Sequence, residues 1–419
     1  MLTFEEIYNR LAKAAKEKRL EDEINSLEID GYKKGQLDCL LEPDKYAPVV
    51  KWEKCNCGKN KKPRCLSVCK FGALSVDEDG NVKIDDKKCV GCEECEKVCK
   101  GKKFKINKEL IPVLKALSLQ NEPIYAIIAP AFIGQFSKSA SAGQIRSAFK
   151  KLGFTGMIEV ALFADILTLK EALEFDKNIN TEKDFQLTSC CCPIWIAMIK
   201  RTYSELIPHI PPSVSPMIAC GRAIKRLHPN AKVVFIGPCL AKKAEAREPD
   251  IKGAVDYVLT FQEAKELFEM MDVNVDDCEE SVKEHSSRGG RIYARAGGVS
   301  EAVLLTLEKI RKHSKMAFKP RRADGVPECR KMLNELIKGE EKGNFFEGMG
   351  CVGGCVGGPR AIIDKEIGKV NVNDYGEKAS YETPANNPYV LELLHKLGFN
   401  DIDGLLEDEE LFTRKFTNQ

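Results

Sequence analysis

The feature that most restricts what this chain can fold into is the placement of its cysteines. Eighteen occur in 419 residues, and eight of these fall between positions 55 and 99. Cys89, Cys92, Cys95 and Cys99 read CVGCEECEKVC, a C-x2-C-x2-C-x3-C run. That spacing wraps a [4Fe–4S] cube: three thiolates converge on one cube while the fourth reaches a neighbouring cluster. Upstream, CNCGKNKKPRCLSVC supplies Cys55, Cys57, Cys65 and Cys69, irregular in its first half but ending in the matching C-x3-C. Crossed ligation then assigns Cys55, Cys57, Cys65 and Cys99 to one cube and Cys89, Cys92, Cys95 and Cys69 to the other. Structural zinc is the plainer alternative for such runs, but zinc sites favour paired C-x2-C knuckles.

Between the two runs, FGALSV and the turn DEDGNVKID predict a short hairpin, so residues 46–110 read as an α+β two-cluster module of ferredoxin-like type. Lysines crowd it, in KNKKPR (59–64) and KVCKGKKFK (97–105). They offset the negative charge of thiolate-bound cubes, and they also suit docking of a small acidic redox partner such as ferredoxin or flavodoxin. A net charge of +2 gives no whole-chain case for nucleic acid or an anionic membrane. The N-terminus has acids among its first residues and lacks the apolar stretch of a signal peptide. No window approaches the ~18 apolar residues of a membrane span. The expectation is a soluble cytoplasmic protein, a setting where many cysteines mean metal or thiol chemistry rather than disulfides.

Beyond residue 110 apolar strands alternate with amphipathic helices. IYAIIAPAF (124–132), GMIEVAL (156–162), FQLTSC (185–190), KVVFIGPC (232–239) and AVDYVLTF (254–261) predict buried strands, with helices such as SAGQIRSAFKKLG and LTLKEALEF between them. The alternation predicts parallel sheet covered by helices, with ligands at the carboxyl ends of the strands. Two strands run straight into cysteine, at TSCCCPIW and GPCLAKKAE. A third element, FFEGMGCVGGCVGGP, sets Cys351 and Cys355 on a glycine-rich loop whose backbone can approach a bulky cofactor. Residues 1–45 read as a helical extension and 376–419 as a helical tail strapped across the domain at 111–375.

These three segments, in this order, resemble the three signature motifs of the [FeFe]-hydrogenases, and the resemblance covers roughly residues 46–375. The triple cysteine resembles a branch whose first motif is TSCCCP. The resemblance implies two lobes of parallel sheet with an H-cluster between them: a [4Fe–4S] cube joined through one cysteine to a two-iron site carrying CO, cyanide and azadithiolate. It implies Cys192, Cys239 and Cys351 as cube ligands and Cys355 as the bridging ligand. Cys191 becomes a free thiol that relays protons, if the register is anchored on the following proline. Anchored on the strand end instead, Cys190 is the relay and Cys191 the ligand.

The resemblance further implies Glu171 and Glu174, three apart on one helix face, as the continuation of the proton route; a solvated acidic face is the alternative. Pro211 stands at the place of the next relay serine, with Ser213 nearby. Lys242 matches the lysine that contacts a cyanide. Pro130, Glu347 and Met349 keep the family's residue types. Gly237 and Ala131 depart from it, standing where a methionine and a serine are usual, and predict a roomier, less hydrogen-bonded pocket. All five histidines lie beyond residue 200, so the extra histidine-ligated cluster of longer members is not expected. Cys39, Cys220, Cys278 and Cys329 read as buried structural residues. The leading reading is reversible 2H⁺ + 2e⁻ ⇌ H₂, with maturation proteins delivering the two-iron site. An H₂ sensor and an iron–sulfur assembly protein without a two-iron site are the alternatives.

Overall fold

The computed structural model describes residues 2–29, 34–59, 62–188, 191–281, 283, 285–310 and 316–416. In the cysteine-rich segment, β1 (Val49–Lys51) pairs antiparallel with β4 (Phe104–Ile106), and β2 (Leu74–Val76) with β3 (Val82–Ile84). The β2–β3 hairpin turns on Asp77, whose carboxylate accepts the Asn81 amide at 2.8 Å, and on Gly80 at φ +77°. Each C-x3-C run is a single helical stretch: Cys65 lies in the Arg64–Val68 helix with Cys69 capping it, and Cys95 lies in the Glu94–Val98 helix with Cys99 capping it. The cap residue leaves the helix in an extended conformation, with ψ 98° at Cys69 and 96° at Cys99, so the two sulfurs of a run part.

The larger part holds two parallel sheets. Four strands run in the order β6 (Gly156–Glu159), β5 (Ile124–Ile128), β8 (Lys232–Gly237), β9 (Tyr257–Thr260). Three run in the order β10 (Pro320–Asp324), β11 (Phe345–Met349), β7 (Gln186–Leu187). The strands are shorter than their apolar stretches predict, for local reasons. Pro130 cannot donate to a ladder, so β5 ends and a 3-10 turn, Pro130–Phe132, follows. Thr260 closes a capping box with Glu263, which starts the Phe261–Met270 helix where strand was expected. β10 has no apolar signature because PRRAD is an edge strand, where charge blunts open pairing.

The Ala161–Asn178 helix is buried on nearly every side, including Lys170, Glu171, Glu174 and Asp176. All-round burial is expected of an apolar helix, and burying charges without need is costly. The Phe4–Lys16 helix lays Phe4, Ile7, Tyr8 and Leu11 into the same core as the four-stranded sheet, packing on the Leu110–Leu119 helix. The N-terminal segment thus shares the main core, at about 1.5–3 kcal/mol for each large apolar side chain buried. Asn107 locks the junction. Its side-chain amide donates to the carbonyls of Pro43 (2.7 Å) and Ala47 (3.1 Å), while its backbone carbonyl accepts from buried Lys243 at 2.7 Å. In the tail, the Pro388–Lys396 helix and the Asp403–Leu406 turn pack against Ala161–Asn178. The last described stretch then pairs with residues 212–214: Val214 donates to Phe412, Arg414 donates to Pro212, and Ser213 bridges Thr413. No helix among the described residues is long and apolar enough to cross a membrane.

Candidate active site at the strand ends

The carboxyl ends of strands from both sheets converge on one cavity with about 800 Å³ of atom-free space. Cys191, Cys192, Cys239, Cys351 and Cys355 line it together with Pro130, Lys242, Tyr293 and Met349. Ser189 and Cys190 lie outside the described residues. Cys192 is the N-cap of the Pro193–Thr202 helix, with Pro193 at the first helical position, where its missing N–H costs nothing. The Gly350 amide donates to the Cys192 sulfur at 3.3 Å.

Burial, then the neighbouring sulfurs, push the thiols of Cys239 and Cys351 up, and the same causes take Cys355 to about 12. Thiols in such a setting release their protons to a metal rather than to water. Cys192, Cys239, Cys351 and Cys355 come from three separate chain segments and face one apolar chamber, so the donor set fits a thiolate-held iron–sulfur group. Lys242 and Glu245 form a buried pair at 2.6 Å, leaving Glu245 Oε1 without a hydrogen-bond partner. Burial alone would lower the Lys242 ammonium, but Glu245, Cys239 and Cys355 hold it above its ordinary value.

The Cys191 thiol is raised far above normal by burial, by Cys192 and by Glu171. Glu171 and Glu174 are both buried, which removes the solvated-face reading. Burial, opposed by Lys170 and reinforced by Glu171, takes the Glu174 carboxyl up to about 8, and its Oε2 is buried with no hydrogen-bond partner. Tyr293 reaches the cavity with its hydroxyl 2.9 Å from Thr168 Oγ1, on the turn before Glu171. Glu347, buried on β11, accepts the amides of Gly297 (2.6 Å) and Ser300 (2.8 Å) and so fixes the start of the Gly298–Ile310 helix beside the site.

The family described as "Iron only hydrogenase large subunit, C-terminal domain" matches residues 122–359, more than half of the sequence. The chain belongs to the iron-only hydrogenase family. "Iron hydrogenase 1" of Clostridium pasteurianum is 26% identical over 309 residues, covering 62% of this chain and 54% of that protein, so the chain spans about half its length. The "Periplasmic [Fe] hydrogenase large subunit" of Nitratidesulfovibrio vulgaris is 27% identical over 364 residues, covering 67% and 86%. A "Cytosolic Fe-S cluster assembly factor NAR1 homolog" of Schizosaccharomyces japonicus is 25% identical over 237 residues, covering 48% and 46%. A solved apo [FeFe]-hydrogenase HydA1 of Chlamydomonas reinhardtii, a single-residue variant, superposes with a TM-score of 0.60 over 73% of this chain and 98% of that one. At 18% identity that likeness is one of fold.

Within the iron-only hydrogenase fold, several expectations need correction. Gly237 does not leave the pocket roomier: a Cβ there would meet the Phe235 ring at 2.6 Å, so Phe235, itself a lining residue, fills the space. Ala131 is wholly buried in the Pro130–Phe132 turn, and it is Ala129 and Pro130 that face the cavity. The glycines of the third motif serve protein packing as much as cofactor approach. A Cβ on Gly350 would strike Ile194 at 2.5 Å, and Gly354, at φ +85°, is pressed against Ala296 and Met349. Ser213 is buried with an unpartnered hydroxyl. Cys39, Cys220 and Cys329 are buried, but Cys278 is half-exposed. Sequence reasoning missed Tyr293, for which no signal existed, and Glu245, which the i, i+3 spacing from Lys242 in AKKAE could have flagged.

The N-terminal module holds a second cavity, with about 360 Å³ of atom-free space, lined by Cys69, Cys89, Cys92 and Cys95. Burial raises Cys89, Cys92 and Cys95, the charges of this set reinforce it, and Cys92 reaches about 12. Cys65 instead feels Cys99 and Cys55. Burial would raise Cys55, but the amides of Val82 and Cys57 outweigh it and hold this thiol below its usual value. Cys57 is exposed. Cys69, Cys89, Cys92 and Cys95 thus share one cavity, while Cys65 lies in the field of Cys55 and Cys99. Of the crowding lysines, Lys59, Lys62 and Lys102 are exposed, whereas Lys103 is paired with Glu53. Arg360, five residues past Cys355, reaches the module, pairing with Glu93 and, at 2.7 Å, with Glu96.

Proposed function

We propose that this protein is a hydrogenase of the ferredoxin type, interconverting protons and H₂ by 2H⁺ + 2e⁻ ⇌ H₂. The supporting observation is the train of protonatable groups leading from the cavity: Cys191 on its wall, then the buried Glu171 and Glu174. A protein that only stores or transfers a cube has no use for buried acids whose desolvation costs stability. Cys192, Cys239, Cys351 and Cys355 would hold the cube of an H-cluster, with Cys355 shared with its two-iron site. That group supplies the metal at which protons and electrons combine or H₂ is split.

The chain's own residues do the rest. Cys191 keeps its proton until a stronger base takes it, then recovers one from Glu171, and Glu174 recharges Glu171. Lys242, fixed by Glu245, presents a cation to the cavity and would favour anionic ligands on a metal group bound there. Phe235, Pro130, Met217 and Met349 keep water away. Cys55, Cys57, Cys65 and Cys99 would hold one [4Fe–4S] cluster and Cys69, Cys89, Cys92 and Cys95 a second, which would supply the path for electrons. The exposed lysines at 59, 62 and 102 attract an acidic donor, so ferredoxin-driven turnover should fall as salt rises while small-dye turnover stays flat. The protein works in the cytoplasm, supplied with its two-iron site by maturation proteins.

Infrared spectroscopy on matured protein, paired with an H₂ assay, tests the proposal. CO and cyanide bands with turnover are the expected result. Assembly-factor relatives favour a second reading, in which matured protein carries cubes but neither bands nor turnover; that result would replace the proposal.

A further inference from the structure

Lys170 is the least expected residue of the Ala161–Asn178 helix. It is a lysine only 1% exposed, one turn from Glu174 on the same helix face, and among the described residues it has no carboxylate within ion-pair distance. Its Nζ hydrogen-bonds the hydroxyl of Thr413 in the C-terminal tail. Thr413 in turn donates to the Asp408 carbonyl at 2.6 Å and is half-exposed. The backbone bridge between Thr413 and Ser213 holds the tail here, and Arg222 clamps it by donating to the Thr413 carbonyl at 2.7 Å. An amine, a buried carboxyl oxygen without a partner and a half-exposed hydroxyl are therefore gathered at one edge of the helix.

We propose that Lys170 is the outlet of the proton route, passing protons between Glu174 and water at the Thr413 edge of the tail. This rests on the hydrogenase reading. Because the two side chains are not in ion-pair contact, one bridging water carries the proton: in H₂ evolution it gives a proton to the Glu174 carboxylate as an Nζ–H bond breaks to restore it, and the neutral amine regains a proton from water admitted beside Thr413; H₂ oxidation reverses these steps. The groups facing Lys170 are Glu174 on its own helix and Asp408 on the tail. Glu171 and Lys177 act on Glu174 from either side, and Arg222 feels both Asp408 and Arg414. Burial lowers the Lys170 ammonium against the pull of both carboxylates, so the amine gives up its proton more readily than an exposed lysine.

The test uses the matured holoenzyme and three variants: Lys170→Met, Lys170→Arg and Thr413→Val. Lys170→Met should lower turnover in both directions about tenfold or more, with a larger solvent isotope effect and an unchanged KM for the electron donor. Added small amines should restore part of the rate. Thr413→Val, which leaves the amine in place, should give a smaller loss of the same kind, and Lys170→Arg should not rescue, because guanidinium holds its proton. In protein carrying cubes but no two-iron site, the infrared band of the protonated Glu174 carboxyl, identified with Glu174→Gln, should persist to higher pH in Lys170→Met. Wild-type turnover with Lys170→Met and Thr413→Val both unimpaired overturns the outlet alone. An inactive wild type, whatever the carboxyl band does, overturns the hydrogenase reading and the outlet with it.

Discussion

The two groups of cysteines hold sulfur in opposite ways. In the N-terminal module eight cysteines fall within one short stretch of chain, several touch solvent, and one thiol is lowered by backbone amides. In the hydrogenase-family domain the four candidate cube ligands are spread from 192 to 355, and burial raises Cys239, Cys351 and Cys355. The first set is organised by sequence spacing: one helical turn and a cap place each C-x3-C pair. The second exists only once two sheets have folded and brought three strand ends together. A local run can be weakened one ligand at a time, whereas a site assembled by the fold fails as a unit.

The largest expected effect breaks that contrast most directly. Cys351→Ser should take H₂ turnover to background with either protein or dye donors, because a hard oxygen replaces a soft thiolate in a buried site. Cys57→Ser, at the exposed corner of the module, should leave dye-driven turnover nearly intact and slow only ferredoxin-driven turnover. Next, Cys191→Ser should keep the CO and cyanide bands yet lose about 10²–10⁴ in rate, the usual scale for a lost proton-transfer group. Cys191→Asp should recover part of this. If Cys190→Ser alone abolishes turnover with the bands intact, relay and ligand move one residue earlier.

A smaller effect is thermodynamic. The Glu174 carboxyl is raised from 4.5 to about 8, so the folded state favours its protonated form. That stabilisation is full below about 4.5 and is lost as pH rises through about 8, because the unfolded chain ionises first. Glu174→Gln should flatten the fall and exceed wild type by about 2–4 kcal/mol above pH ~8 in denaturant titrations, while lowering turnover. The smallest effect is at the joint between the two regions. Arg360→Met leaves Glu93 buried without its cation, and protonation of Glu93 limits the cost to about 1–3 kcal/mol, read as a lower unfolding midpoint.

How much of this could be read from sequence depended on what kind of information each part needs. The C-x3-C runs, the hairpin turn and the alternation of strands with helices are local, and the structure contains them. β10 escaped because an edge strand carries no apolar pattern. The spacing of Glu171 and Glu174 was visible, but their burial was not, since helix periodicity gives a face and not what covers it. Gly237 was misjudged for a similar reason: a missing side chain predicts space only if no neighbour fills it, and Phe235 does. Lys170 gave no signal at all, because its partner Thr413 is 243 residues away.

The lock at Asn107 has a consequence for timing. One side chain is bound to the carbonyls of Pro43 and Ala47, where the N-terminal extension meets the module, and its backbone to a lysine of the hydrogenase-family domain. Arg360 closes the opposite side of the module. A module pinned at two points has no swing. On the proposed electron route the spacing between donor cluster and cavity is then set by the fold and not sampled by motion, so internal transfer waits for no conformational gate. Any dependence of donor-driven turnover on viscosity belongs to the encounter with the donor.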